Sequence, residues 1–476
     1  MARPVAHIRS LIFCRTARLA VAFCAASWWI VQNASAQNTV GAGSSSGVVV
    51  DAEGVLHRVT ESDPTGDLAR QRAQEAMLKL DRNVAHRSPL RKISLTRLDR
   101  IMKQRLAEGR EIDDTMKNLA GLTRVEYVFC YPASGDVVIA GPAEAWGQAP
   151  SGRMQGIDSG RPVIELQDLA VALRAFPQGV TNKKPLIFCS IDPTQEGLQR
   201  MHEFLREIGG RIGDPRQNPG QDEFIVSGLR EKLGMQIITV GGISPKTHFA
   251  QVMVEADYRM KLIGIGLETP PVRLQSYVDR ANPSQVASNA LQRWYFVPNY
   301  QCVKVSEDSM AMQLVGDGVK LVGEDEAVSK DGSRAKSLRY NRASDQFVKA
   351  FTKIYPKLAE QAPVYAQLRN CIDLAVSAAF IQSQDYYDLA KWTPSVITDE
   401  KAFPTETLNP PQQVESAVNS IWKGATLVTP VGGGVQIRPT EAVDPTNLLQ
   451  DDGAKVRDAR AGIDLKKLAA DQWWWD

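Results

Sequence analysis

Ser244-Pro-Lys-Thr-His-Phe-Ala-Gln-Val-Met-Val-Glu-Ala-Asp-Tyr-Arg-Met-Lys-Leu-Ile263 is the stretch whose reading decides the fold. Phe249, Val252, Met253, Ala256, Met260 and Ile263 recur at intervals of three and four, which places them on one face of an amphipathic helix. Ser244 suits the N-cap, and Pro245 then takes the first helical position, where a missing N–H costs nothing. Glu255 precedes Arg259, and Asp257 precedes Lys261, each by four residues, the favourable order for exposed ion pairs. Such pairs contribute only about 0.2–0.5 kcal/mol each, so burial of the apolar face must supply most of the stability. Upstream, Met235-Gln-Ile-Ile-Thr-Val240 reads as a short buried strand and Gly241-Gly242 as a turn. Strand, glycine turn and capped helix make the first half of a βαβ unit.

Working outward, the pattern stays mixed. Val125-Glu-Tyr-Val-Phe-Cys-Tyr131 and Asp136-Val-Val-Ile-Ala140 flank Ser134-Gly135 as a hairpin. Residues 166–176 read as a helix, 186–191 as a strand and 194–208 as a helix stopped by two glycines. Further on, Met312-Gln-Leu-Val-Gly-Asp-Gly-Val-Lys-Leu-Val-Gly323 is a strong hairpin signal, with Asp317-Gly318 at its tip. Residues 345–392 are helical, broken near Pro356 and restarted at Pro363, with Val364, Leu368, Ile372, Ala375 and Ala379 in one stripe. The expected class is α/β, with a mixed α+β arrangement as the alternative. It comprises a partly parallel sheet with flanking helices, an antiparallel hairpin region and a helical C-terminal part.

The organising stretch also carries a resemblance. Ala256-Asp-Tyr-Arg-Met-Lys-Leu-Ile-Gly-Ile-Gly-Leu-Glu268, with Arg124-Val-Glu-Tyr-Val-Phe-Cys130, Gly160-Arg-Pro-Val163 and the helical run ending near Phe380, resembles a family of uncharacterised secreted planctomycete proteins. The resemblance spans residues 120–390, roughly, of the 476. It implies an exported compartment and a common extent, and it brings no activity, cofactor or catalytic residue.

Composition bounds the rest. At 476 residues, two or three folded units are expected, and 43% hydrophobic with 23% charged residues fits a globular chain. A net charge of +2 argues against a nucleic-acid partner held by bulk charge. Residues 1–36 read as a signal peptide: Arg3, Arg9, Arg15 and Arg18, an apolar run over 19–31, and Ala34-Ser-Ala36 before Gln37. An uncleaved anchor is the alternative, but the run falls short of the roughly 18 residues a span needs. Cys24 as a lipoprotein site is disfavoured by the bulky Phe23 before it. No later segment is long and apolar enough to span a bilayer, so the chain is expected to be exported, periplasmic or secreted.

Cleavage would leave Cys130, Cys189, Cys302 and Cys371, read as either two disulfides or buried free thiols. Residues 37–65 read as a flexible linker, in which 47–54 could make a short strand and turn. Residues 66–120 read as a charged helical segment, 121–268 as the α/β core and 269–325 as a β-hairpin region. Residues 345–392 are expected to pack on the core as helices, and 393–476 to be a mostly irregular or disordered tail. The basic face of Arg97, Arg100 and Lys103 suits either an anionic surface or plain solvent. Trp473-Trp-Trp475 reads as either a docking end or a segment folded back on its own chain.

Candidate sites are sparse. No pair of histidines has metal-ligand spacing, so neither a metal nor a cofactor is expected. Gly241, Gly242, Ser244 and Lys246 precede a helix start, where free N–H groups suit an anion; a plain turn and cap is the competing reading. His248 reads as an exposed helix-terminal histidine, or as a base beside Asp257 or Glu255. Two functions remain in view. One is a non-catalytic binding or scaffolding protein whose partner is an envelope protein or polymer. The other is a secreted hydrolase of envelope polymers with its site near residues 241–248.

Overall fold

In the computed structural model the described residues are 47–476, apart from 60–62, 181–184, 210–217, 285–289, 332, 338–339, 424–425, 462–464, 466–467, 470 and the side chains of 426–428. The chain opens with the hairpin β1 (Val48–Val50) and β2 (Val55–Arg58), turned on Gly54 at positive φ. Helix α1 (Asp67–Lys79) follows, and then β3 (Ser88–Ser94) runs straight into α2 (Leu95–Ala107). Ser94 caps α2, its hydroxyl accepting Arg97 N–H at 3.2 Å. The expected hairpin forms from β4 (Tyr127–Tyr131) and β5 (Asp136–Ala143). A smaller hairpin, β6 (Trp146–Gln148) and β7 (Met154–Gly156), leads to α3 (Leu166–Ala175).

The organising unit comes next: β8 (Ile187–Pro193), α4 (Gln195–Glu207), α5 (Gln221–Leu233), β9 (Met235–Gly241) and α6 (His248–Gly264). Five strands follow: β10 (Ala290–Pro298), β11 (Val303–Val305), β12 (Ala311–Leu314), β13 (Val319–Val328) and β14 (Arg334–Lys336). The long helices α7 (Arg342–Gln361) and α8 (Pro363–Ser383) come after them. The last part supplies β15 (Gln413–Glu415), β16 (Ser420–Trp422), β17 (Thr426–Val428), β18 (Val431–Ile437), β19 (Leu449–Gln450), α9 (Lys455–Ala461) and β20 (Trp474–Trp475).

Two mixed sheets organise these elements. One has the order β1-β2-β15-β9-β8-β18-β10-β13-β14, the other β19-β11-β12-β4-β5-β3-β20. Pairs β2–β15, β10–β18 and β11–β19 are parallel and the other pairs within these two sheets are antiparallel, so the class is α/β with partly parallel sheets and helices in the C-terminal part. The half-unit of β9, glycine turn and α6 continues into β10, which runs parallel to β9 in the same sheet with β8 and β18 between them. β8 and β9 themselves pair antiparallel, Phe188 opposite Gly241, because the chain reverses three times through the two helices between them.

The hairpin expected around Asp317-Gly318 does not form. β12 pairs with β11 and β4 in the smaller sheet, and β13 with β10 and β14 in the larger. The turn therefore crosses from one sheet to the other. Pro356 does not break α7, which runs through it; the break is at Ala362, with Pro363 opening α8. Phe351, Tyr355 and Leu358 are buried on both sides of Pro356, and that packing holds the helix across the lost hydrogen bond.

The larger sheet crosses the expected boundaries at 65, 120, 268 and 392, and the smaller sheet those at 120, 268 and 392. The described part of the expected linker forms β1 and β2 on the edge of the larger sheet, and β3 lies within the expected helical segment. The tail expected to be irregular gives β18, an interior strand between β8 and β10, and β20, which pairs with β3 and leaves Trp473 and Trp475 buried. Glycine makes this legible only afterwards. In Val431–Ile437, Gly432, Gly433 and Gly434 press on Asp192, the Trp294 backbone and the Cys189 carbonyl, where a Cβ would collide.

Candidate functional site

Helix α6 starts three residues later than its sequence suggests. Thr247 is the N-cap, its hydroxyl accepting Ala250 N–H at 3.3 Å, while Ser244 and Pro245 lie in the preceding turn. All of α6 except Tyr258 and Arg259 is buried. One side lies on β8, β10 and β18, the other on α3 and α8. Its charged residues are therefore interior groups with specific partners. Asp257 and Lys261 pair at 2.7 Å, and the ammonium also donates to Ile191 O at 2.9 Å and Gly433 O at 3.1 Å. Burial pushes the Asp257 carboxyl up, against the pull of Lys261, to about 6.

His248, 1% exposed, is sealed rather than exposed. Its partners are neither Asp257 nor Glu255. Nδ1 lies 2.9 Å from Asp168 Oδ2, and Nε2 lies 3.9 Å from Glu165 Oε1 and 3.4 Å from Gln367 Nε2. Burial alone would lower its pKa; Asp168 and Glu165 outweigh that and raise it to about 10. Gln367 favours a neutral ring, but a 2.9 Å charge-assisted bond outweighs a 3.4 Å amide contact. In neither state is a ring nitrogen free to take a proton from a substrate.

The polar chain continues inward. Gln367 accepts Arg153 Nη1, and Arg153 Nη2 holds both oxygens of Glu255 at 2.5 and 2.7 Å. Gly47 N–H adds to Glu255 at 3.1 Å, and Arg259 sits 3.5 Å from it before reaching Glu268 at 2.7 Å. The expected Glu255–Arg259 pair thus exists, with Arg153 as its stronger third member. No sequence signal marks Arg153, Glu165, Asp168 or Gln367 as partners of α6, because they come from three other parts of the chain.

Glu165 is where this network meets solvent. It lines a cleft of about 920 Å³ together with α1, β6, residues 113–118 and residues 403–406. His248 is not among its walls. Burial raises the Glu165 carboxyl above the ordinary carboxylate range; His248 pulls it down and Asp168 pushes it further up. The wall beside it carries Gln167, Trp146 and Phe403.

The four residues first marked for an anion do not share that cleft. Gly242 faces a separate recess of about 490 Å³ beside Arg174 and Gln382, and Ser244 and Lys246 are not among its walls. Gly241 packs on the Phe188 ring, Ser244 O holds the Thr247 hydroxyl, and Lys246 O holds Leu408 N–H. The basic face of α2 is partly committed: Arg97 pairs with Asp136 at 2.9 Å and donates to Leu465 O and Gln472 O. The cysteines Cys130, Cys189, Cys302 and Cys371 are free and buried, which resolves the choice against disulfides; burial pushes Cys130 up to about 11. Among the described residues no three His, Cys, Asp or Glu side chains are grouped to hold a metal ion, and no helix is long and apolar enough to cross a membrane.

A family model described as a protein of unknown function (DUF1598) matches residues 189–277. Those residues are a DUF1598 domain. The DUF1598 stretch runs from within β8 to Tyr277 and contains His248, Glu255, Asp257 and Lys261, while Arg153, Glu165, Asp168 and Gln367 lie outside it. The DUF1598 match is shorter than the extent suggested by the resemblance. No curated protein and no solved structure matches the chain.

Proposed function

We propose that the chain is an exported, non-catalytic protein that binds a polymer of the cell envelope in the cleft beside Glu165. The observation that carries this reading is the position of His248. It adjoins the cleft but is sealed and fully partnered, so the cleft has an open wall without a histidine base. Export is proposed from the basic, apolar and small-residue segments of residues 1–36. Co-sedimentation with purified envelope polymer tests binding, and analysis of the supernatant tests cleavage. Saturable binding with no soluble fragment supports the reading. An N-terminus at Gln37 on protein recovered outside the cytoplasm supports export, and recovery from the cytoplasm alone refutes it.

One observation favours a second reading, an envelope hydrolase. Glu165 opens on the cleft with its carboxyl raised, which suits a proton donor to a leaving group. Release of fragments that is lost in Glu165→Gln would establish that reading in place of the first.

A further inference from the structure

We infer that a second recess, on the basic face of α2, binds a sugar acid, an oxyanion with hydroxyl groups beside it. The inference does not rest on the cleft reading, because the two hollows share no wall residue. The recess holds about 290 Å³ between α2, the Ser134-Gly135 turn and residues 391–395. Two sealed side chains in its walls carry polar atoms without partners. Trp392 is 3% exposed, and its indole Nε1 finds no acceptor among the described residues. Asp136 is 2% exposed. Its Oδ1 accepts the Ser94 hydroxyl at 2.6 Å and Arg97 Nε at 2.9 Å, while Oδ2 accepts nothing among the described residues. A buried donor or acceptor left unpaired is costly, so each marks a place for an outside partner. An open donor and an open acceptor in one recess call for a ligand that accepts at one point and donates at another.

Charge decides what the accepting end must be. The walls carry Arg97, Arg100, Lys103 and Lys391 against Asp99 and Asp136. Both carboxylates are answered within the protein. Asp136 is paired by Arg97, and Asp99 accepts the N–H groups of Ser395, Val396 and Ile397 at 2.9, 2.8 and 3.0 Å, with the Ser395 hydroxyl at 3.1 Å. Those bonds also fasten residues 395–397 to α2, which brings Lys391 to the basic face. Lys103 and Lys391 are exposed and pair with no carboxylate among the described residues. Their surplus charge at the mouth favours an anion. A ligand carboxylate takes the lysines and the indole N–H as its donors, and a hydroxyl of the same sugar ring donates to Asp136 Oδ2. Neither a bare anion nor a neutral sugar meets both demands.

Calorimetry of the full chain with galacturonate, its tetramer, galactose and sulfate tests this. Galacturonate is expected to bind one-to-one and more tightly than galactose or sulfate. The double variant Lys103→Gln with Lys391→Gln should weaken it about tenfold. The same change at Lys353 and Lys357, exposed on α7 and outside the recess, should leave binding unchanged. Trp392→Phe keeps an aromatic ring, removes the unpaired N–H and should weaken binding several-fold. The lysine pair is exposed and decides the matter even where Trp392→Phe fails to fold. Equal loss in the two lysine pairs would mean bulk attraction and overturn the inference. Galactose or sulfate binding as tightly as galacturonate would overturn it too, as would no binding of galacturonate or its tetramer. A tetramer that binds more tightly per unit assigns the ligand to an acidic polysaccharide, and one that binds equally per unit to a free sugar acid.

Discussion

Arg153 sets the balance of buried charge. It comes from the short loop between β6 and β7, and it is the close partner that keeps Glu255 from being an unpaired ion in the core. Arg153→Met is therefore expected to lose about 3–5 kcal/mol of stability, read from the denaturant midpoint. Replacing Glu255 with Met as well should recover most of that loss, because no uncompensated charge remains. His248 makes a second prediction, in pH. Its folded pKa, about 10, lies above its ordinary 6.5, so its contribution is complete below 6.5 and is lost as pH rises through 10. Raised carboxyls at Asp257, about 6, and Glu165 act in the same sense at lower pH. Denaturant midpoints should fall from neutral pH toward 10, and His248→Gln should flatten that fall; an unchanged slope would refute the assignment. His248 and Glu255 were visible in the sequence. Apart from Arg259, their partners were not, because side chains 80 or more residues away have no local signature.

At the scale of elements, α6 shows how much periodicity tells. The three-four spacing located the apolar face, and each of Phe249, Val252, Met253, Ala256, Met260 and Ile263 is buried. It said nothing of the opposite face, where Glu255, Asp257 and Lys261 look solvated in sequence but are interior. A helix touched from every side retains charge only where other elements supply partners. Met253→Ala should cost about 2–5 kcal/mol by calorimetric melting. Gly264→Ala should cost about 1–3 kcal/mol, since its Cβ would lie 2.3 Å from the Trp294 ring. Wild-type stability in both would mean that α6 is not packed as described. Strand existence was also legible, and strand partnership was not. β12 and β13 alternate as a hairpin would, yet hydrogen bonds to β4 on one side and β10 on the other separate them into two sheets.

Across the whole molecule, described residues from 47 to 476 enter common sheets, and the chain's last part is a structural insert rather than an appendage. Ending the chain at residue 392 would remove β18 and leave β8 and β10 with open edges inside the larger sheet. That truncation is expected to lose cooperative unfolding, seen as a broad thermal transition and rapid proteolysis; a sharp transition would mean the tail is dispensable. The sequence by itself determined many of the elements between residues 121 and 392, the mixed α/β class, the buried face of α6 and the early hairpin, because period and turn chemistry are local. Only the tertiary structure decided which strands pair, that Gly432-Gly-Gly434 is interior, and that His248 is sealed beside Glu165 at the cleft. Those outcomes depend on contacts between distant segments, where burial removes solvent and each charge must find its partner in space.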